Sequence, residues 1–157
     1  MDVLIVAGLS ASGGGAPTVT VRPGTLLVVG HGLVVNDTPA HGKAGLGALL
    51  GDDPRPTVDL YRALTALELA AKDRNIVGVV IAGEIEAGVV QLGELRQAIA
   101  AFRKESGKPV FAWIENGSQG EYYLASVADQ IAMHPSGELE LKGLAANNLY
   151  FGETLRT

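Results

Sequence analysis

The run Ile76-Val77-Gly78-Val79-Val80-Ile81-Ala82 constrains this chain more than any other feature. It contains no polar side chain, and five of its seven residues are β-branched. Branching at Cβ favours extended backbone, and an unbroken apolar run is expected of a strand covered on both faces. Such strands sit in parallel sheets, where each neighbour is reached through a crossover that is usually helical. The flanking sequence fits that demand. Behind Pro54-Arg55-Pro56, Thr57 reads as an N-cap, and Leu60, Leu64, Leu67 and Ala71 recur at helical spacing to about Lys72. After the run, Leu92, Leu95, Ile99 and Phe102 share one helical face that Gly107 closes, and Pro109 to Ile114 reads as the next strand.

The same grammar extends in both directions. Thr25 to Val29 reads as a buried strand that continues past His31-Gly32 as Leu33 to Val35. Ser118 to Val127 reads as a third helix and Gln130 to Met133 as a strand ended by Pro135-Ser136-Gly137. Leu139 to Leu141 and Leu144 to Tyr150 are expected as final strands. Strands alternating with helices at short spacing make this an α/β chain with a mostly parallel sheet, and 157 residues suit one domain.

Residues 1–17 are read as a terminal strand or tail followed by a Gly/Ser linker, and 18–157 as the domain. Val3 to Leu9 is too short to cross a bilayer, which takes about 20 residues. Asp2 also supplies the wrong charge for a signal peptide start. Asn36 to Pro56 is expected to be a long loop with a helical turn at Leu46 to Leu50. The chain stops at Thr157 where a further helix begins, so the domain is read as truncated at its C-terminal end.

Several function classes fall away. A net charge of −5 with no basic run opposes nucleic-acid binding. The absence of cysteine removes disulfides, thiolate nucleophiles and thiolate zinc sites. His31, His41 and His134 show no metal-ligand spacing, and no cofactor motif is present. Gly42 to Gly47 lacks the lysine and hydroxyl order of a phosphate loop and is read as surface loop. Ser118 departs from G-x-S-x-G by one residue, because Asn116 stands where the first glycine belongs; Ser118-x-x-Glu121 instead forms a capping box. Ser126 is expected two turns inside the helix, packed on a strand. Tyr122 and Tyr123 point different ways, one of them into the core. Lys72, Lys104, Lys108 and Lys142 are assigned to helix ends or turns.

The stretch Glu115 to Ser126, with Asp73 to Val80, Ser106 to Val110, Ala128 to Ile131, Pro135 to Gly137 and Gly143 to Ala145, resembles the signal peptide peptidase A (protease IV) family. The segments occur in one order over Val58 to Leu155 and match the first half of the long form. The resemblance implies a crotonase-like, Clp-protease-like spiral of ββα units. It also implies serine peptidase chemistry by a Ser–Lys dyad, the degradation of cleaved signal peptides, and a site at the periplasmic side of the bacterial inner membrane.

Where catalytic halves of that family carry Ala-Ser-Gly-Gly-Tyr-Tyr, this chain has Ser118-Gln119-Gly120-Glu121-Tyr122-Tyr123. Gln119 therefore stands in the nucleophile's place, and the family's lysine lies past Thr157. Gly83 to Gly88 replaces an Asp-Ser-Pro-Gly-Gly oxyanion segment, with Glu84 and Glu86 adding adverse charge. The resemblance thus implies no catalytic residue in the chain, and peptide binding through Ala87, Gly88, Gln119 and Gly120. The expected partners are a peptide and either further copies of this chain or the remainder of a longer peptidase. Two alternatives stay open: an active peptidase using Ser118 or Ser126 with a neighbouring copy's lysine, and a crotonase-type acyl-thioester binder.

Overall fold

A computed structural model describes residues 3–5, 21–37 and 57–143. The expected linker, the 38–56 loop with its helical turn, His41, the Gly42 to Gly47 segment and the Leu144 to Tyr150 strand lie outside the described residues. Five parallel strands form the main sheet: β1 (Val3–Ile5), β2 (Thr25–Gly30), β5 (Ile76–Ala82), β7 (Val110–Ile114) and β9 (Gln130–Met133), side by side in that order. Each crossover moves one place along the sheet, which gives the α/β architecture expected from the sequence.

Three helices pack in a row, each against the next: α1 (Leu60–Lys72), α2 (Val89–Ser106) and α3 (Gln119–Ala125). Leu95, Ile99 and Phe102 of α2 are buried as the spacing predicts, with Leu92 half-buried at the start of the stripe. In α1 the buried positions are Ala63, Leu67 and Ala70, while Leu60, Leu64 and Ala71 flank them. Small alanines occupy its buried stripe.

These helices meet the inward residues of the sheet: Leu27 and Val29, Ile76, Val79 and Ile81, Val110, Ala112 and Ile114. Ile76 and Val79 both face inward because the register slips between Thr25↔Ile76 and Leu26↔Gly78, so that Val77 is bulged and exposed. The opposite face of the sheet is not covered among the described residues. Phe111 and Trp113 stand on it at 36% and 39% exposure. Among the described residues, helices bury the apolar run of β5 on one side.

Four strand pairs repeat a common turn. After β2, β5, β7 and β9 the chain bends within a few residues and forms a second short strand: β3 (Leu33–Asn36), β6 (Ile85–Glu86), β8 (Gly117–Ser118) and β10 (Leu139–Glu140). The units β5-β6-α2 and β7-β8-α3 show the ββα order that the resemblance implies. The expectation of one strand from Thr25 to Val35 is corrected by the first corner. Gly30, His31 and Gly32 all have positive φ, and the chain leaves the main sheet there. A Cβ on Gly30 would lie 2.2 Å from the Ala82 carbonyl oxygen, so only glycine fits.

The second strands form two small parallel sheets, β4-β3-β6 and β10-β8, where β4 is Thr57–Asp59. Thr57 is thus in a strand and not an N-cap. Asp59 caps α1, its carboxylate accepting from the Arg62 N–H at 2.9 Å and pairing with the Arg62 guanidinium at 3.1 Å. Lys108 donates to the carbonyls of Ala70 and Asp73 at the end of α1, the helix-end role expected of it.

Candidate functional site

The ends of β2, β5, β7 and β9 all release their chains at one side of the main sheet, as parallel strands must. The corners and second strands that follow line a cleft of about 840 Å³. Gly32 follows β2, Glu84 to Glu86 follow β5, Asn116 to Ser118 follow β7, and Glu138 to Glu140 follow β9; Glu121 of α3 completes the lining. Clefts beyond the carboxyl ends of parallel strands are recurrent ligand sites in open α/β sheets. Here the cleft separates the two small sheets. Strand β6 pairs with β3 and β8 with β10, and residues of β6 and β8 both border the gap.

Among the described residues five glutamates line this cleft and no lysine or arginine does. Glu140 is paired with Lys142 at 2.6 Å. Glu121 belongs to the capping box of α3: Ser118 Oγ accepts from the Glu121 N–H at 3.3 Å, and Glu121 Oε2 accepts from the Ser118 N–H at 2.7 Å. The capping reading of Ser118-x-x-Glu121 is therefore what the fold contains. The Ser118 hydroxyl is a helix cap. Ser126 is corrected: it is exposed at the C-cap of α3, where Oγ donates to the Tyr123 carbonyl at 2.7 Å and accepts from Arg96 Nε at 3.3 Å.

The four residues expected to bind substrate sit beside the cleft lining rather than in it. Ala87 is half-buried against the core next to Glu86. Gly88 is the N-cap of α2, its N–H donating to the Gln91 side chain. Gln119 opens α3, and its Oε1 accepts from the Gly143 N–H at 2.6 Å. Gly120 packs on α2 so closely that a Cβ would stand 2.9 Å from Leu92 Cδ1. The segments that sequence reading singled out, after β5 and at the start of α3, adjoin the cleft. That reading missed the third wall, Glu138 to Glu140, because only the tertiary pairing of β10 with β8 brings it there.

Tyr122 and Tyr123 are both exposed, which corrects the expectation that one is core; Leu124 and Ala125 fill that role. Tyr123 lies under the Arg96 guanidinium, 5.0 Å from ring centroid to carbon. His134 ends β9, where its Nδ1 accepts from the Ser136 N–H and its ring meets Trp113 edge-on at 6.4 Å. Among the described residues no group of His, Asp or Glu is placed to hold a metal ion, and no helix is long and apolar enough to cross a membrane.

One ionisation shift lies away from the cleft, at the start of β7. Asp129 Oδ2 accepts from the Val110 N–H at 2.9 Å, and Oδ1 pairs with Arg103 at 2.6 Å. The Val110 amide foremost holds this carboxyl below the usual aspartate range; burial opposes it next, and the Arg103 hydrogen bond and charge lower it further. It ties the strand to the end of α2.

Residues 102–157 match the family model of peptidase family S49. The chain is 37% identical over 145 residues to Protease 4 of Salmonella typhi, covering 88% of this chain and 23% of that protein. It is 34% identical over 158 residues to Protease 4 of Haemophilus influenzae, covering 98% of this chain and 26% of that protein. The chain thus spans about a quarter of the length of these relatives. A solved enoyl-CoA hydratase/isomerase family protein from Silicibacter pomeroyi superposes on 51% of this chain and 42% of its own, with TM-score 0.37 and 18% identity.

Proposed function

We propose, from the premise that this chain belongs to peptidase family S49, that it is a noncatalytic unit of a signal peptide peptidase and holds an extended peptide in the cleft between β6 and β8. The observation that carries the reading is how the nucleophile's place is used. Gln119 has no hydroxyl to form an acyl-enzyme ester, and its side chain is bonded to Gly143. The neighbouring hydroxyls of Ser118 and Ser126 are engaged in helix caps, and among the described residues no amine lines the cleft to act as a base. Short strands on either side of an open gap, by contrast, suit an extended peptide.

Catalysis, in this reading, is carried by another segment of a longer protein at the periplasmic side of the bacterial inner membrane. The uncovered apolar face around Phe111 and Trp113 supports assembly with further copies or with such a segment. The decisive experiment incubates the purified chain with a fluorogenic apolar peptide and a serine-reactive phosphonate. Neither turnover nor covalent labelling is expected. Labelling that disappears in Ser118→Ala or Ser126→Ala would instead establish an active peptidase with an unusual pair.

A further inference from the structure

We propose that Glu121 is a built-in occupant of the β8 edge, a carboxylate that an incoming peptide must displace, so that this one side chain regulates access to the cleft. The inference rests on the reading of the cleft as a receptor for an extended peptide.

The geometry begins with strand β8. The Gly117 N–H donates to the Glu138 carbonyl at 2.8 Å, toward β10. Successive residues of a strand direct their amides to opposite edges, so the Ser118 N–H points away from β10, to the edge that borders the cleft. A strand laid in the cleft would place a carbonyl oxygen on that amide. The place is taken. Glu121 Oε2 accepts from the Ser118 N–H at 2.7 Å, a charge-assisted bond, and the Glu121 side chain itself lines the cleft. The contact does what an incoming strand would do and so blunts the edge.

Displacement has a definite chemistry. The peptide carbonyl replaces the carboxylate as acceptor, and Glu121 swings into a cleft already lined by Glu84, Glu86, Glu138 and Glu140. The occupant is therefore a peptide strand without acidic side chains, since added carboxylates would meet like charge. Loss of Glu121 has two opposed effects. It weakens the cap of α3, which loosens the site, and it frees the Ser118 amide, which opens it.

The sign of the change in peptide affinity tells these apart. The probe is a capped, uncharged hexapeptide alternating valine and serine, titrated against the whole chain by fluorescence anisotropy. Glu121→Ala is expected to bind it about three- to tenfold more tightly than the wild type, the range of one exchanged hydrogen bond. Ser118→Ala removes the other half of the capping box but keeps the occupied amide, and is expected to bind no more tightly than wild type. Glu121→Gln keeps an acceptor without charge and is expected to fall between. Without peptide, hydrogen exchange at the Ser118 amide is expected to rise about tenfold in Glu121→Ala. Equal or weaker binding by Glu121→Ala overturns the regulatory role while leaving peptide binding in place. Binding by none of the proteins overturns both.

Discussion

The unit β5-β6-α2 and the unit β7-β8-α3 share one plan and are held together differently. In the first, an 18-residue helix buries Leu95, Ile99 and Phe102 with almost no exposure, and its N-cap is a glycine with no side chain of its own to cap, its N–H donating to Gln91. In the second, a seven-residue helix is secured mainly at its ends: Ser118 with Glu121, Gln119 with Gly143, Ser126 with Arg96 and the Tyr123 carbonyl. Apolar burial scales with length, so a long helix can rely on its stripe, whereas a helix of two turns depends on capping. The polar ties of the short unit lie beside the cleft. The cleft itself lies between the two units, bordered by β6 of one and β8 of the other.

The largest way to break that contrast is Phe102→Ala. Emptying a fully buried aromatic site is expected to cost about 3–5 kcal/mol, read as a lowered midpoint in urea unfolding. A loss below about 1 kcal/mol would mean that α2 is not the stabilising unit. Ser118→Ala comes next, with an expected cost of about 1 kcal/mol for the lost cap. Hydrogen exchange should place that loss in α3, with α2 amides unchanged; equal loosening of both helices would show that the repeats are not separable.

The smallest effect belongs to the tie between the units. Because the folded Asp129 carboxyl titrates below its unfolded range, its contribution is present above about pH 4 and is lost as pH falls through the depressed value. Asp129→Asn should therefore show a shallower loss of stability between neutral and acid pH than the wild type. Parallel acid profiles for the two proteins would remove Asp129 as a pH-dependent clamp.

Much of the first unit was legible in the sequence because its determinants are local or periodic. Leu95, Ile99 and Phe102 recur at the helical period, and Gly107 ends the helix in the left-handed conformation expected of a C-cap glycine. The capping box at Ser118 is legible for the same reason, being complete within four residues. Thr57 shows the limit: it is a plausible N-cap by type, but pairing of β4 with β3 draws it into a strand and moves the cap to Asp59. The tyrosine pair shows another, since apolar rings side by side do not reveal which face of a short helix meets the core.

By itself the sequence determined the α/β alternation, the inward stripe of α2 and the cap of α3, because residue type and spacing settle each of them. Only the tertiary structure decided that Val77 bulges, that the chain turns out of the main sheet at His31, and that Glu138 to Glu140 close a cleft against Ser118 and Glu121. These depend on register and on pairing between segments far apart in the chain. No local pattern encodes which edge a two-residue strand will find.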